Sequence, residues 1–101
     1  MNKQNLELAF KALADSTRLR ILEILKRPGK SACDLIGKTE RGLCACDIQV
    51  AIRLSQAATS HHMELLKRAG LVHAEKRGRW MFYWRNETTI AALAERLAKT
   101  V

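Results

Sequence analysis

Residues 47–70, DIQVAIRLSQAATSHHMELLKRAG, decide the fold of this 101-residue chain. Asp47 is a candidate N-cap for a short helix, and Ser55 is a candidate N-cap for a second helix over residues 56–69. Gly70 follows at the position where a left-handed C-cap is expected. Two short helices joined by a tight turn predict a helix-turn-helix.

The flanking sequence predicts further helices and a hairpin. Apolar residues at helical spacing predict helices over about residues 3–14 and 16–26, and again from about Thr88 onward. After residue 70 the apolar spacing becomes alternating, which predicts a two-stranded hairpin that reverses at Gly78. The predicted fold class is mainly α with a β-hairpin, a winged helix-turn-helix in the order α-α-α-α-β-β-α. Because the chain is long enough for one core only, we expect a single domain over residues 1–101.

The charge balance indicates an anionic partner. Eighteen Lys and Arg residues stand against ten Asp and Glu, giving a formal net charge of +8. Nucleic acid is therefore the first candidate partner, although a solvated basic surface would give the same balance. No Ser, His, Asp constellation and no phosphate-cradling loop is evident, so an enzyme is not expected.

Two groups of side chains are candidates for DNA contact. The start of the second helix of the pair carries polar groups and no carboxylate, as a reading surface for phosphates and base edges requires. The hairpin tip carries three cations, which are typical either of a DNA-binding wing or of a charged edge strand. The candidate DNA-binding residues are Ser55, Gln56, Thr59, Ser60 and His61 on the helix and Lys76, Arg77 and Arg79 on the wing.

The three cysteines are the sharpest chemical feature. An odd number of cysteines disfavours a disulfide framework. Cys44 and Cys46 lie next to a predicted helix start, where thiol pKa values fall and thiolates bind soft metals or react with oxidants. Cys33 could supply a third thiolate, and three thiolates suit a trigonal soft ion. The alternative interpretation is that these cysteines are small hydrophobic residues.

Four separated motifs in order resemble the arsenical-resistance repressor family, ArsR/SmtB. They are LADSTRLRIL at 13–22, LCACDI at 43–48, LSQ with SHHM at 54–56 and 60–63, and AGLV at 69–72. The resemblance implies a winged-helix homodimer that represses a metal-resistance operon and leaves its double-stranded DNA operator when a toxic ion binds. Cys44 and Cys46 fall on the first two ligands of the family's metal box, and Gln49 occupies the position of the third ligand in the arsenic-sensing branch.

The effector expected from this resemblance is As(III) or Sb(III), with Cd, Pb and Zn as other possibilities, held by Cys44, Cys46 and Cys33. The operator is expected to be an imperfect inverted repeat. A dimer interface is expected where the first and last helices present more apolar surface than a small core covers. The predicted dimerisation residues are Leu6, Phe10, Leu13, Ile90, Leu93 and Leu97.

The sequence has no apolar run of the ~20 residues that cross a bilayer, so we expect a cytoplasmic protein without a membrane partner. Two alternative functions use the same cysteines. One is a repressor that senses thiol oxidation or sulfur species. The other is a small thiol oxidoreductase, which is disfavoured because Cys-x-Cys differs from the Cys-x-x-Cys redox motif.

Overall fold

The computed structural model describes residues 2–26 and 42–101, which form five helices and three strands. The elements are α1 (Lys3–Leu13), α2 (Ser16–Lys26), β1 (Leu43–Cys44), α3 (Ala45–Ile52), α4 (Gln56–Arg68), β2 (Val72–Arg77), β3 (Trp80–Arg85) and α5 (Glu87–Thr100). The mainly helical class and the winged helix-turn-helix order are confirmed. The additional element is β1, which the sequence did not predict.

Side-chain caps fix the starts of the helices. Ser55 Oγ accepts the Ala58 backbone N–H at 3.1 Å, as expected for the N-cap of α4. Asp15 Oδ2 accepts the Arg18 N–H at 3.0 Å at the start of α2. That hydrogen bond is the main reason why the pKa of the Asp15 carboxyl lies below its ordinary value.

Gly70 ends α4 as the sequence predicts. Its φ is +76°, its N–H donates to Lys67 O at 2.9 Å, and the Leu71 N–H donates to Leu66 O at 3.0 Å. This pair of bonds is the Schellman motif, and the positive φ explains why glycine is preferred there. The chain is thereby turned directly into the hairpin from α4, which is the predicted recognition helix of the helix-turn-helix.

Helix α3 begins earlier than expected. Its N-cap is Cys44, and Asp47 lies in the first turn instead of capping the helix. An acidic residue in the first turn still stabilises the helix, since it faces the positive end of the helix dipole. The helix ends at Arg53, whose φ of +56° makes the left-handed turn that leads into α4.

The sheet is antiparallel with the strand order β1-β3-β2. Strand β3 pairs with β2 through the predicted hairpin and also with the two-residue β1, in which Cys44 lies opposite Phe82. Gly42 precedes β1 with a φ of +75°, and a Cβ there would collide with the Tyr83 carbonyl oxygen. Glycine therefore permits the close approach of β1 to β3.

The main hydrophobic core draws buried residues from all five helices. Leu93 of α5 is part of that core and only 5% exposed, which argues against its predicted place in a dimer interface. Its side chain packs within its own protomer. The remaining residues predicted for dimerisation fall into two groups. Leu6, Leu13 and Ile90 are half-buried against the core, whereas Phe10 and Leu97 are 36% and 41% exposed.

Over residues 2–26 and 42–101, no helix is both long and apolar enough to cross a bilayer.

Candidate nucleic-acid interface and adjacent cysteine pair

The first turns of α4 present a polar, non-acidic surface. Gln56, Ser60 and His61 are exposed, and the first turn of the helix contains no acidic residue. Ser55 is also exposed, although its hydroxyl oxygen already accepts the capping hydrogen bond. These side chains can approach phosphates and base edges, because nothing in this turn repels an anion.

Thr59 differs from its neighbours because it is buried, which argues against its predicted contact with DNA. It is 2% exposed, and its hydroxyl donates to the Ser55 carbonyl oxygen at 2.8 Å. The buried face of α4 comprises Thr59, Met63 and Leu66, at positions i, i+4 and i+7. Thr59 therefore fixes the orientation of the helix rather than facing DNA.

Arg18 links α4 to α1 and α2 through His62, which borders the buried face of α4. Arg18 Nε donates to Ala12 O at 2.6 Å and its Nη2 to Lys11 O at 3.2 Å, at the end of α1. Its Nη1 lies 3.1 Å from Nδ1 of the half-buried His62 on α4. Asp15 Oδ2 lies 3.9 Å from the same ring nitrogen. One guanidinium thus positions the recognition helix against α1 and α2.

The wing cations are not equivalent. Lys76 and Arg79 are exposed near the hairpin tip. Arg77 instead pairs with Glu75, Nε to Oε1, at 2.6 Å, and its guanidinium carbon lies 4.9 Å from the centre of the Phe82 ring. The side chain of Arg77 is 30% exposed. Lys76 and Arg79 are therefore the cations on this wing that are best placed for phosphates.

The cysteine pair lies where β1 joins α3. The structure joins Cys44 and Cys46 as a disulfide, with their Cα atoms 5.4 Å apart. Asp47 Oδ2 lies 3.2 Å from Cys44 Sγ. The three possible ligand atoms of these residues lie within 4.8 Å of one another. Cys33, predicted as a further ligand, lies outside the described residues.

The two cysteines differ in access to solvent. Cys44 is fully buried with Phe82, and the half-buried Cys46 and Trp80 pack against that pair. Cys46 also lines a cleft of about 350 Å³ between α3, the start of α4 and β3. The same cleft is lined by Gln56 and Ser60 of the recognition helix and by Arg79 of the wing. The cleft therefore joins the cysteine pair to the candidate DNA-binding side chains.

Tyr83 closes one side of this cleft from β3. Burial raises the pKa of its phenol above the ordinary value, and the nearby negative charge of Glu64 raises it further. Tyr83 is therefore protonated and neutral at physiological pH.

Comparison with known proteins identifies the family of this chain. Residues 37–74 match the family model described as bacterial regulatory protein, arsR family. The chain is 36% identical over 88 residues to the HTH-type transcriptional regulator YbzH of Bacillus subtilis, covering 85% of this chain and 88% of YbzH. The chain belongs to the arsR family. It is therefore a DNA-binding transcriptional repressor and not an enzyme.

Two family relatives have names that mention metal or metalloid resistance. A cadmium resistance transcriptional regulatory protein CadC homolog from Staphylococcus aureus is 32% identical, covering 94% of this chain and 69% of the relative. An arsenical resistance operon repressor from Bacillus subtilis is 32% identical, covering 86% of this chain and 71% of the relative.

Solved structures share the fold of this ArsR-family chain. A crystal structure of an ArsR family transcriptional regulator superposes with a TM-score of 0.77 at 20% identity, covering 99% of this chain and 90% of that one. The homodimeric winged helix-turn-helix domain of a possible ArsR-family regulator from Mycobacterium bovis superposes with a TM-score of 0.69 at 22% identity. The match covers 96% of this chain and 79% of that one.

Sequence reasoning missed two contributors to this site. Asp47 was interpreted as a cap, although its spacing of three residues from Cys44 brings its carboxylate to the sulfur. Arg18 was not singled out, because its partners lie on α1 and α4 and only the tertiary structure brings them together.

Proposed function

We propose that this ArsR-family repressor is a homodimer that binds its operator through α4 and the wing and releases it when a thiophilic ion binds at Cys44 and Cys46. The observation that carries this proposal is the position of Cys44, which is both the last residue of β1 and the N-cap of α3. One cysteine is thereby continuous with the wing sheet on one side and with the helix-turn-helix on the other.

The DNA-binding half of the proposal rests on charge and exposure. The chain carries a net charge of +8, the exposed candidates are Ser55, Gln56, Ser60, His61, Lys76 and Arg79, and three of them, Gln56, Ser60 and Arg79, line one cleft. In a two-fold dimer the two recognition helices reach successive major grooves about 34 Å apart, so we expect an operator that is an imperfect inverted repeat of double-stranded DNA. A repressor of this kind acts in the cytoplasm, where the operator is.

The donor atoms suit a soft effector. Two sulfurs and one carboxylate oxygen lie within 4.8 Å of one another, and thiolates select soft ions. Cys44 and Cys46 would hold the ion in their reduced form, with Cys33 or Asp47 as candidates for a third ligand. We propose As(III) or Sb(III) as the effector, with Cd, Pb or Zn as alternatives. The names of the arsenical and cadmium resistance relatives support this choice.

Release follows from the connections of the cysteine pair. Cys44 pairs with Phe82 in β3, and α3 packs on α4. A bound ion would fix the two thiolates at one spacing, and any shift of Cys44 would move the wing strand and α3 together. Ion and operator would then oppose each other with a coupling free energy of about 1–3 kcal/mol.

The test is operator release by Cys44→Ser and Cys46→Ser variants. Each variant is expected to bind the operator as the unsubstituted protein does, because neither cysteine is one of the candidate DNA-binding residues and serine is close to cysteine in size. Each is expected to lose release by arsenite, measured by fluorescence anisotropy of a labelled operator under reducing conditions. Parallel titrations with cadmium and zinc identify the ion, and a Cys33→Ser variant tests the third ligand. Unchanged release by both variants would remove the sensing role of the pair.

A second candidate function is a thiol-redox repressor that uses the same two cysteines. The specific observation in its favour is that Cys44 and Cys46 are joined as a disulfide. In this proposal an oxidant, and not a metal, triggers release. Peroxide would release the operator with a mass loss of two hydrogen atoms per chain, and dithiothreitol would restore binding. Release by arsenite without any oxidant would exclude this candidate as the main mechanism.

A further inference from the structure

Part of the lining of the cleft between α3, α4 and β3, namely Gln49, Trp80 and Met81, is required neither for DNA binding nor for ion binding. Its volume of about 350 Å³ falls in the range of about 300–1,000 Å³ typical of small-molecule sites. One wall is formed by Cys46 and Gln49 of α3, and the others by the start of α4 and by β3 with the hairpin turn.

The polar groups of the cleft favour an anion. Arg79 supplies a guanidinium, and Gln49, Gln56 and Ser60 supply amide and hydroxyl donors. Among the described residues, none that lines the cleft is acidic. The N-terminus of α4 adds the positive end of a helix dipole. Trp80 and Met81 supply apolar surface for the uncharged part of a ligand.

The reactive group of the cleft is Cys46. Cys46 is half-buried and lines the cleft, whereas its partner Cys44 is fully buried behind it with Phe82. A small molecule that enters the cleft therefore meets Cys46 and not Cys44. Thiol–disulfide exchange requires access along the sulfur–sulfur bond, so this asymmetry selects which sulfur is attacked.

We propose that the cleft binds a low-molecular-weight thiol that carries a carboxylate and that this thiol forms a mixed disulfide with Cys46. Arg79 attracts the carboxylate, and the thiol sulfur faces Cys46. The regulatory meaning of this site rests on the proposed function, because the occupant lies against Gln56 and Ser60 and places negative charge where operator phosphates would approach.

The exchange balances without any further reactant. The incoming thiolate attacks Cys46 Sγ, a new sulfur–sulfur bond forms, and the Cys44–Cys46 bond breaks. Cys44 leaves as a thiolate and takes up the proton that the incoming thiol released to solvent. The resulting Cys44 thiol can donate to Asp47 Oδ2, which lies 3.2 Å from its sulfur. A second thiol molecule of the same class completes the reduction of the pair.

The test uses the oxidised full-length protein without DNA and three probes of different charge. They are 3-mercaptopropionate, which is anionic, 2-mercaptoethanol, which is neutral, and cysteamine, which is cationic. Samples are quenched with iodoacetamide at early times, and peptide mass mapping locates the probe. Each rate is divided by the rate of the same thiol with a small reference disulfide, which removes differences in intrinsic nucleophilicity.

The expected result is a probe on Cys46 and a carbamidomethyl group on Cys44. The normalised rate should be highest for the anionic thiol, by about threefold over the neutral one, as a partly screened charge pair provides. Arg79→Gln should remove this advantage and leave the neutral thiol unaffected. Lys67→Gln, which removes one exposed cation on α4 away from the cleft, should preserve it.

Three outcomes would overturn the proposal: a probe on Cys44, equal normalised rates for the three thiols, or an Arg79→Gln variant that keeps the full preference for the anion. Because DNA is absent, a failure of arsenite to release the operator would refute the proposed function and leave this result unaffected. Conversely, a failure of the thiol test would leave the proposed function unaffected, since arsenite release is measured on the reduced cysteine pair.

Discussion

Thr59 and Gln56 lie three residues apart on α4 and have separate tasks. Gln56 is exposed at the first helical position, where its amide can pair with an adenine edge. Thr59 is buried, and its hydroxyl donates back to Ser55 O within the helix. Both residues are polar, so it is their position on the helix that makes Gln56 a candidate DNA contact and Thr59 a buried residue that stabilises the helix.

Substitutions should resolve these two tasks. Gln56→Ala is expected to lose about 1–3 kcal/mol of discrimination at one base pair, with unchanged stability. Thr59→Val keeps the side-chain volume and should lower the free energy of unfolding by about 0.5–1.5 kcal/mol through the lost hydrogen bond. Urea denaturation and titration against single-base operator variants measure both quantities. A base-specific loss in the Thr59→Val variant would show that this residue does reach DNA.

Tyr83 reports the electrostatics of the cleft, since it is the only tyrosine in the chain. Burial, followed by the charge of Glu64, raises the pKa of its phenol above 10. A group whose pKa is raised by folding stabilises the folded state below the unfolded pKa, and this contribution is lost as pH rises through the folded pKa. Stability should therefore decline as the phenol ionises, above pH 10.

Absorbance titration at alkaline pH measures the ionisation of Tyr83 directly. The midpoint in the folded protein is expected above that of the urea-unfolded chain. Glu64→Gln should move it part of the way back, because burial is the larger cause and remains. A Glu64→Gln midpoint equal to that of the unfolded chain would assign the shift to charge alone.

At the scale of elements, we expect two of the three wing cations to make most of the wing's contacts with phosphates. Lys76→Ala and Arg79→Ala are each expected to weaken operator binding similarly for all sequences and to reduce the slope of log affinity against log salt by about 1. Arg77→Ala should have a smaller effect on that slope, because Arg77 pairs with Glu75 and lies over Phe82. Anisotropy titrations at several salt concentrations test this order. Equal slopes for the three variants would contradict it.

The long elements could be predicted from the sequence because each carries its own signals. Capping residues such as Ser55 and the terminating Gly70 are local, and so is the change from helical to alternating apolar spacing after residue 70. Strand β1 carries no such signal, since two residues show no period, and only its pairing with β3 defines it. The start of α3 also carries no clear local signal, because cysteine is an atypical N-cap residue.

The candidate site was predictable only in part. The cysteine motif and the exposed polar residues of α4 were identified from residue type and spacing. The burial of Thr59 and the pairing of Arg77 could not be, because polar residues give no sign of whether a helix face or a neighbouring strand covers them. The i, i+4, i+7 spacing of Thr59 with Met63 and Leu66 was the available signal. Because threonine is polar, this spacing was not interpreted as a buried helix face.

At the scale of the whole molecule, the proposed dimer interface uses the apolar surface that is left outside the core. Phe10 on α1 and Leu97 on α5 are exposed, as is Leu8, which the sequence analysis did not select. The first turns of α1 and α5 lie close together, since Asn5 and Thr88 line one pocket. These two helices therefore carry the exposed apolar residues that we propose for the dimer interface.

Leu97→Glu is expected to shift the protein from dimer to monomer at micromolar concentration and to weaken operator binding, because a single recognition helix reads only a half-site. Leu19→Glu is the matched control, since Leu19 on α2 is 51% exposed and lies outside the proposed interface. Sedimentation velocity measures the oligomeric state. A Leu97→Glu dimer, or equal dissociation of both variants, would place the interface elsewhere.

The direct junction of β1 and α3 leaves no spare backbone between sheet and helix. Ala45 follows Cys44 without a connecting residue, so a displacement of the strand cannot be absorbed before it reaches the helix. A glycine inserted between these two residues would act as mechanical slack. We expect such a protein to fold and to bind the ion at its cysteine pair, but ion binding would no longer release the operator.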